Sequence, residues 1–171
     1  MERPLKFDQP PLAYTVRPIC PDDAALLNDF HERCSDQTHR LRFFSLQTHL
    51  SSSMLRFFTN VDHDHREALI AMLDERIIAV GRYDLVPGEE GGEPAAEVAF
   101  VVVDEYQGRG IATDLLGRLA ESARNHGIRT FVAETLTENM AMQAVFRNSP
   151  LAASFRRIPG DPSVLRCTMT L

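Results

Sequence analysis

The sequence predicts an α/β fold (α+β in its segregation of elements), a mixed central sheet with helices on both faces. Three observations carry that prediction. Apolar, β-type runs alternate with stretches whose apolar residues recur at helical spacing. The run 95–103 is apolar at nearly every position, as in a strand covered on both sides. The chain has 171 residues, enough for one domain of roughly 100–200 residues to bury a core without disulfide or metal staples.

The elements follow in order. Tyr14 to Arg17 alternates and is β-rich, a short first strand. Pro21-Asp22-Asp23 begins a helix, with proline at an early position and acids at the positive dipole end. Leu27, Phe30 and Cys34 continue it at helical spacing. A second helix is predicted over Thr38 to Phe44. A third is capped by Ser51 to Ser53 and shares Met54, Leu55 and Phe58 on one face. Two apolar β-type runs, Ala68 to Leu73 and Ile77 to Tyr83, are then joined by Asp74-Glu75-Arg76, a hairpin by length. Pro87 to Pro94 is acidic and Gly/Pro-rich, a mobile loop before the strand Ala95 to Val103. A helix from Ala112 to about His126 presents Ile111, Leu115, Leu119 and Ala123 on one stripe, and Gly127 stops it. Thr130 to Ala133 is a buried strand, Asn139 to Asn148 a last helix, and Val164 to Leu171 a C-terminal strand.

Composition narrows the function classes. Apolar residues make 44% and charged residues 25%, and 18 Lys+Arg against 24 Asp+Glu give a net charge of −6. An acidic chain is a poor non-specific binder of nucleic acid. No apolar run approaches the ~18 residues of a membrane span, and Met1 to Pro11 lacks the apolar stretch of a signal peptide. Cys20, Cys34 and Cys167 are odd in number and share no CxxC-like spacing, which suits a reducing cytoplasm rather than a disulfide framework. Residues 1–171 read as one domain, with 1–12 as a flexible N-terminal tail.

The most informative stretch is Asp104-Glu105-Tyr106-Gln107-Gly108-Arg109-Gly110-Ile111-Ala112, between a buried strand and an amphipathic helix. Two glycines in three residues let successive N–H groups point at one spot, and the helix N-terminus adds free N–H groups and about half a positive charge. Such a turn can hold a phosphate or diphosphate, with Arg109 adding a charged contact. It can also be no more than a tight turn. A Walker A loop would need Gly-Lys-Ser/Thr, absent here. A dinucleotide fingerprint would use Glu134 as the ribose acid, but four residues separate Val103 from Gly108 and too little chain follows Glu134 for a doubly wound domain.

The turn matches the Q/R-x-x-G-x-G/A signature of the GNAT superfamily of acyl-CoA-dependent N-acetyltransferases, which the chain resembles from about Tyr14 to Leu171. Arg42-Phe43-Phe44-Ser45, Leu55 to Ala71, Ala96 to Phe100 and Glu138 to Met142 resemble the GNAT domain of bacterial Pat-type protein lysine acetyltransferases. The resemblance implies a mostly antiparallel sheet of about six to seven strands and acetyl-CoA as acyl donor. Phe100, Val101, Val102 and Val103 would offer backbone groups to the pantetheine arm. Gln107, Gly108, Arg109, Gly110, Ile111, Ala112 and Thr113 would cradle the diphosphate. Asn139 would contact the pantetheine, a role compatible with capping the last helix.

The implied chemistry needs a base, because an amine of pKa ~10.4 is mostly protonated at neutral pH. Glu97 is the ionisable residue of the strand Ala95 to Val103, on the face of Ala99 and Val101. Its position matches the glutamate base of the Pat-type enzymes. Burial on that strand would raise its pKa toward the working pH. The other reading of Glu97 is a solvent-facing residue at a strand start. The tyrosine that serves many GNAT members as general acid is replaced by Phe146, which leaves the acid unassigned. Asp62-His63-Asp64-His65 has no further partner at zinc spacing and reads as a solvated loop, with a role near the acceptor as its alternative. Glu134 and Glu138 could meet a cationic acceptor or simply be rim charges. The acceptor is a primary amine, on a protein lysine or a small molecule. A homodimer is compatible with all of this, and a silent acyl-CoA-sensing module is the rival to an enzyme.

Overall fold

The structure, a computed structural model, describes residues 11–45, 49–88 and 92–171. Residues 1–10 of the expected tail and 89–91 of the acidic loop lie outside the described residues. Leu12, assigned to the tail, packs against the core. The elements are β1 (Thr15–Pro18), a 3-10 turn (Pro21–Asp23), α1 (Ala24–Arg33), α2 (Asp36–Phe43), α3 (Ser52–Thr59), β2 (Arg66–Leu73), β3 (Arg76–Val86) and β4 (Ala95–Val102). A second 3-10 turn (Asp104–Tyr106) precedes α4 (Ile111–Asn125), β5 (Thr130–Leu136), α5 (Met140–Arg147), β6 (Ala152–Ile158) and β7 (Asp161–Thr170).

Among the described residues, seven strands form one sheet in the order β1-β2-β3-β4-β5-β7-β6. Every neighbouring pair is antiparallel except β4 and β5. The β2–β3 hairpin turns on Asp74 and Glu75, whose φ of 47° and 59° give the doubly left-handed turn that matches strand twist. Helix starts and stops follow local chemistry. Ser35 and Ser51 accept the N–H of Thr38 and Met54 at 3.2 Å each and cap α2 and α3. Past the end of α4, Gly127 takes φ 77° and Ile128 N–H donates to the Ala123 carbonyl at 2.9 Å, closing the helix.

The sequence reading missed one strand. β6 is an edge strand with exposed and half-buried residues alternating, and it pairs only with β7. Its residues Ala152, Ser154, Arg156 and Arg157 carry little hydrophobic signal, so the pairing itself defines it.

The two faces of the sheet differ. On one, α4 lays Ile111, Leu115, Leu119 and Ala123 against Tyr83, Val98, Phe100 and Phe131 in the main core, which Phe146 of α5 joins. On the other, α1 packs Leu27 and Phe30 with Ile70, Val80 and Val103 in a smaller core, against which Leu55 and Phe58 of α3 rest.

Candidate active site

β4 and β5 run parallel but pair only at Ala96–Phe131 and Glu97–Val132. Both strands continue, to Val102 and Leu136, so they splay apart. Along its other edge β4 stays paired with β3 as far as Val102. From Val98 onward the β5-side edge of β4 therefore presents backbone groups without a strand partner. A cavity of about 670 Å³ occupies the splay, a size typical of small-molecule sites. It is lined by β4, the glycine turn and the start of α4 on one side, and by α5 and Arg42 to Phe44 on the other.

The turn is built to leave amides free. Gly108 and Gly110 hold φ of 74° and 82°, a region that side chains with a Cβ rarely adopt. The first bond of α4 runs from Asp114 N–H to the Gly110 carbonyl at 3.0 Å, so the amides ahead of Asp114 lack an intrahelical acceptor. Gly110, at the N-cap, has no side chain to accept them. These donors border the cavity at the positive end of a 15-residue helix. The donor set fits a diphosphate.

Side chains pin this turn to α2. Gln107 Nε2 donates to the Val102 carbonyl at 2.9 Å and to Thr38 Oγ1 at 3.0 Å. Asp104 accepts the Ser35 N–H and the Thr38 hydroxyl, each at 3.0 Å. Burial raises the Asp104 pKa, but the bonds from Ser35 and Thr38 prevail and hold it below the usual carboxylate value. The roles of Thr38 and Asp104 in holding the turn escaped the sequence reading, although Asp104 opens its most informative stretch, because their partners lie more than sixty residues away.

The residues singled out from sequence distribute as follows. Glu97, Phe100, Val101, Val102, Gln107, Gly108, Gly110, Ile111, Ala112, Thr113 and Asn139 all line the cavity. Val103 does not: its N–H donates to the Ile78 carbonyl at 3.0 Å and its side chain is in the smaller core. Arg109 is exposed and lies over the Tyr106 ring, 5.9 Å from its centroid, outside the cavity wall. Asn139 caps α5 by accepting Met142 N–H at 3.1 Å, and it is 9% exposed.

Glu97 departs from expectation in one respect. It sits on β4 between buried neighbours Ala96 and Val98, yet it is itself exposed. The β4–β5 splay opens beside it and leaves its carboxylate accessible to water. Its charge is felt by Arg42, a half-buried residue that lines the same cavity. Burial pulls the Arg42 pKa below the ordinary arginine value, and Glu97 and Asp84 oppose that pull.

Phe146 is 1% exposed and lies 6.3 Å from Phe100, ring to ring, so it packs. Glu134 and Glu138 are held by arginines, Arg166 at 3.1 Å and Arg40 respectively. Asp62 folds its own loop by accepting the N–H of Asp64 and Arg66, and His63 bonds Glu67 at 2.8 Å.

Fold and cleft together define a class of protein: a splayed-sheet domain whose cleft is lined by a glycine turn suited to a diphosphate and by two carboxylates, Glu97 and Glu134. The comparisons say which family this is. Residues 27–149 match the acetyltransferase (GNAT) family, and the chain belongs to that family. It is 34% identical over 134 residues to the acetyltransferase Pat of Mycolicibacterium smegmatis, covering 77% of this chain and 39% of Pat. It therefore spans well under half the length of that relative. The GNAT domain of S. lividans PAT has a TM-score of 0.83 and 38% identity, with 92% of this chain and 90% of that chain covered. A putative acetyltransferase from Salmonella typhimurium, yncA, solved with its cofactor acetyl-CoA, shares the fold at a TM-score of 0.72 and 17% identity, with 94% of each chain covered. The family's acyl donor is acetyl-CoA. No helix among the described residues is long and apolar enough to cross a membrane.

Proposed function

We propose that the chain acetylates a primary amine, with acetyl-CoA seated in the splay and Glu97 as general base. One observation carries the proposal: the free amides of the glycine turn, the unpaired edge of β4 and the Glu97 carboxylate all border a single cavity. Acetyl-CoA supplies an activated thioester. The amides ahead of Asp114 bind its diphosphate, and the unpaired β4 edge after Glu97 orients the pantetheine and meets oxygen charge developing at the carbonyl. Glu97, exposed and open to water, takes the amine proton through a water molecule. Phe146 has no proton to give, so the leaving sulfur takes its proton from solvent. The Pat-type resemblance makes a protein lysine the favoured acceptor, and the three free cysteines suit a cytoplasmic setting.

Glu97→Gln tests the base. Turnover falls by roughly 10²–10⁴-fold while CoA affinity, read by titration calorimetry, is kept. Unchanged turnover removes Glu97 from the mechanism. A wild-type protein that binds CoA but acetylates no amine in a lysate is a binding module instead. Gly110→Asp tests the cradle. A Cβ at Gly110 meets open space, so the steric change is small, but a carboxylate there opposes the diphosphate. CoA affinity should drop by about a hundredfold, since like charges in contact cost several kcal/mol. Gly110→Ala separates the effect of φ alone. Unaltered affinity in Gly110→Asp overturns the diphosphate assignment.

A further inference from the structure

A second, smaller cavity of about 50 Å³ adjoins the cleft on the α1–α3 side of the sheet. Thr38, Arg42, Phe43, Ala99 and Val101 line both spaces, so the small one lies against the cleft, beside Ala99, two residues along β4 from Glu97. Its walls are largely apolar, with Leu27, Phe30, Phe58 and Val80, yet two arginines also face it.

Arg82 is 7% exposed. Its guanidinium lies over the Phe58 ring, 4.7 Å from the centroid, and Nη2 donates to the Phe58 carbonyl at 3.4 Å. Its Nε has no hydrogen-bond partner and is 3.7 Å from Asp84 Oδ2. Asp84 is already engaged by Arg66 Nε at 2.6 Å. Arg42 sits over the Phe43 ring at 4.9 Å and makes no hydrogen bond among the described residues. Each of the two guanidiniums is desolvated, and each feels other charges nearby. Burial brings Arg82 down to about 10, and the positive charges of Arg42 and Arg66 push the same way. Glu97 and Asp84 are the nearby acids, and both reach Arg42 only through space. His39 also borders the cavity, but its Nε2 donates to the His31 carbonyl at 2.9 Å.

Buried charge is costly unless paired, and a buried N–H without an acceptor adds to that cost. Arg82, with one buried N–H left without an acceptor, and the desolvated Arg42 beside it give this small cavity the donors for an anion. A guanidinium's fork matches a planar carboxylate. The cavity has room for roughly two or three waters, about what one carboxylate group needs, and its apolar walls suit a short carbon stem better than a hydrated phosphate. We propose that this pocket takes a substrate carboxylate, clamped by Arg82 and Arg42. The group comes from a dicarboxylic acyl chain on the CoA donor or from an amino-acid acceptor whose amine then faces Glu97. This inference rests on the acyltransferase reading of the main cleft.

Two substrate panels on the wild-type protein distinguish the sources. One compares malonyl- and succinyl-CoA with propionyl- and butyryl-CoA. The other pairs free amino acids with their amides, using acetyl-CoA as donor. A preference of about tenfold or more in kcat/KM for the carboxylate member identifies its source. Arg82→Met and Arg42→Met should then remove that preference, and Arg82→Lys should restore part of it if the Met variant fails to fold. Both panels flat, with acetyl-CoA binding intact, overturn the pocket and leave the acetyltransferase reading standing. If acetyl-CoA does not bind or nothing is acylated, that reading falls, and the pocket is judged by NMR alone. Saturable movement of the Arg82 Nε–Hε signal with propionate but not propionamide then sustains it. No movement, or equal movement with the amide, overturns it.

Discussion

The two faces of the sheet follow opposite rules. Behind β3 and β4, α4 fills its side with fully buried aliphatic residues, and the buried polar groups there are bonded. Gln143, for one, donates to the Leu136 and Thr137 carbonyls at 3.3 and 3.0 Å. On the α1–α3 side, the smaller core shares its space with Arg82, His31 and His39, and buried Arg82 Nε and His39 Nδ1 lack partners. Close packing with every polar group satisfied is what a scaffold needs. Unsatisfied buried polar groups are tolerated where something outside the chain completes them. One face holds the sheet in shape, and the other borders the open end of the cleft.

Substitutions can break this contrast. The largest effect is expected for Leu115→Ala on the scaffold face. Leu115 is fully buried, and urea unfolding should show a loss of 2–5 kcal/mol, the usual range for leucine truncation in a core. A loss under about 1 kcal/mol would deny that face its role. A smaller effect belongs to Asp23, which shows what a satisfied ion pair on the α1 side looks like. Arg17 grips it with two bonds of 2.7 Å and Cys20 N–H adds one of 2.8 Å, and these outweigh burial to bring its pKa from 3.8 to about 2. Because the folded value lies below the unfolded one, the pair's contribution is full above about pH 4 and is lost as pH falls through about 2. Asp23→Asn should therefore cost about 1–2 kcal/mol at pH 7, discounted for the exposed Arg17, with most of that cost gone by pH 2. Equal costs at both pH values would contradict the ion-pair account. The smallest effect is predicted for Arg82→Met, within about 1 kcal/mol of wild type in either direction, since an apolar replacement removes a buried charge whose ion pair with Asp84 is long, at 3.7 Å, and whose Nε lacks a hydrogen bond. A loss above about 2 kcal/mol would make Arg82 structural and remove the contrast.

Much of this was legible in the chain because the relevant physics is local. Gly108 and Gly110 announce a turn of converging N–H groups, Gly127 a helix stop, Ser51 to Ser53 a cap and Asp74-Glu75-Arg76 a hairpin, which the structure tightens to Asp74 and Glu75 with Arg76 opening β3. Each is settled within a few residues. The main core stripe of α4 was legible through its period. Edge strand β6 was not, since alternating small, polar and charged residues become a strand only when β7 supplies the ladder. The exposure of Glu97 was equally hidden. Its neighbours are buried, and only the divergence of β5 after Val132 uncovers it. Val103 shows the converse, a strand-end residue that turns away to bond Ile78 and leaves the cavity wall.

Sequence alone determined the alternation of strands and helices and the amide-rich turn, because hydrophobic period and glycine torsions act over a few residues. The tertiary structure alone decided where β4 and β5 part, which side chains border the gap, and that Arg42 and Arg82 approach each other from segments forty residues apart. Those outcomes depend on long-range pairing and on how charge is buried, neither of which any short stretch of the chain encodes.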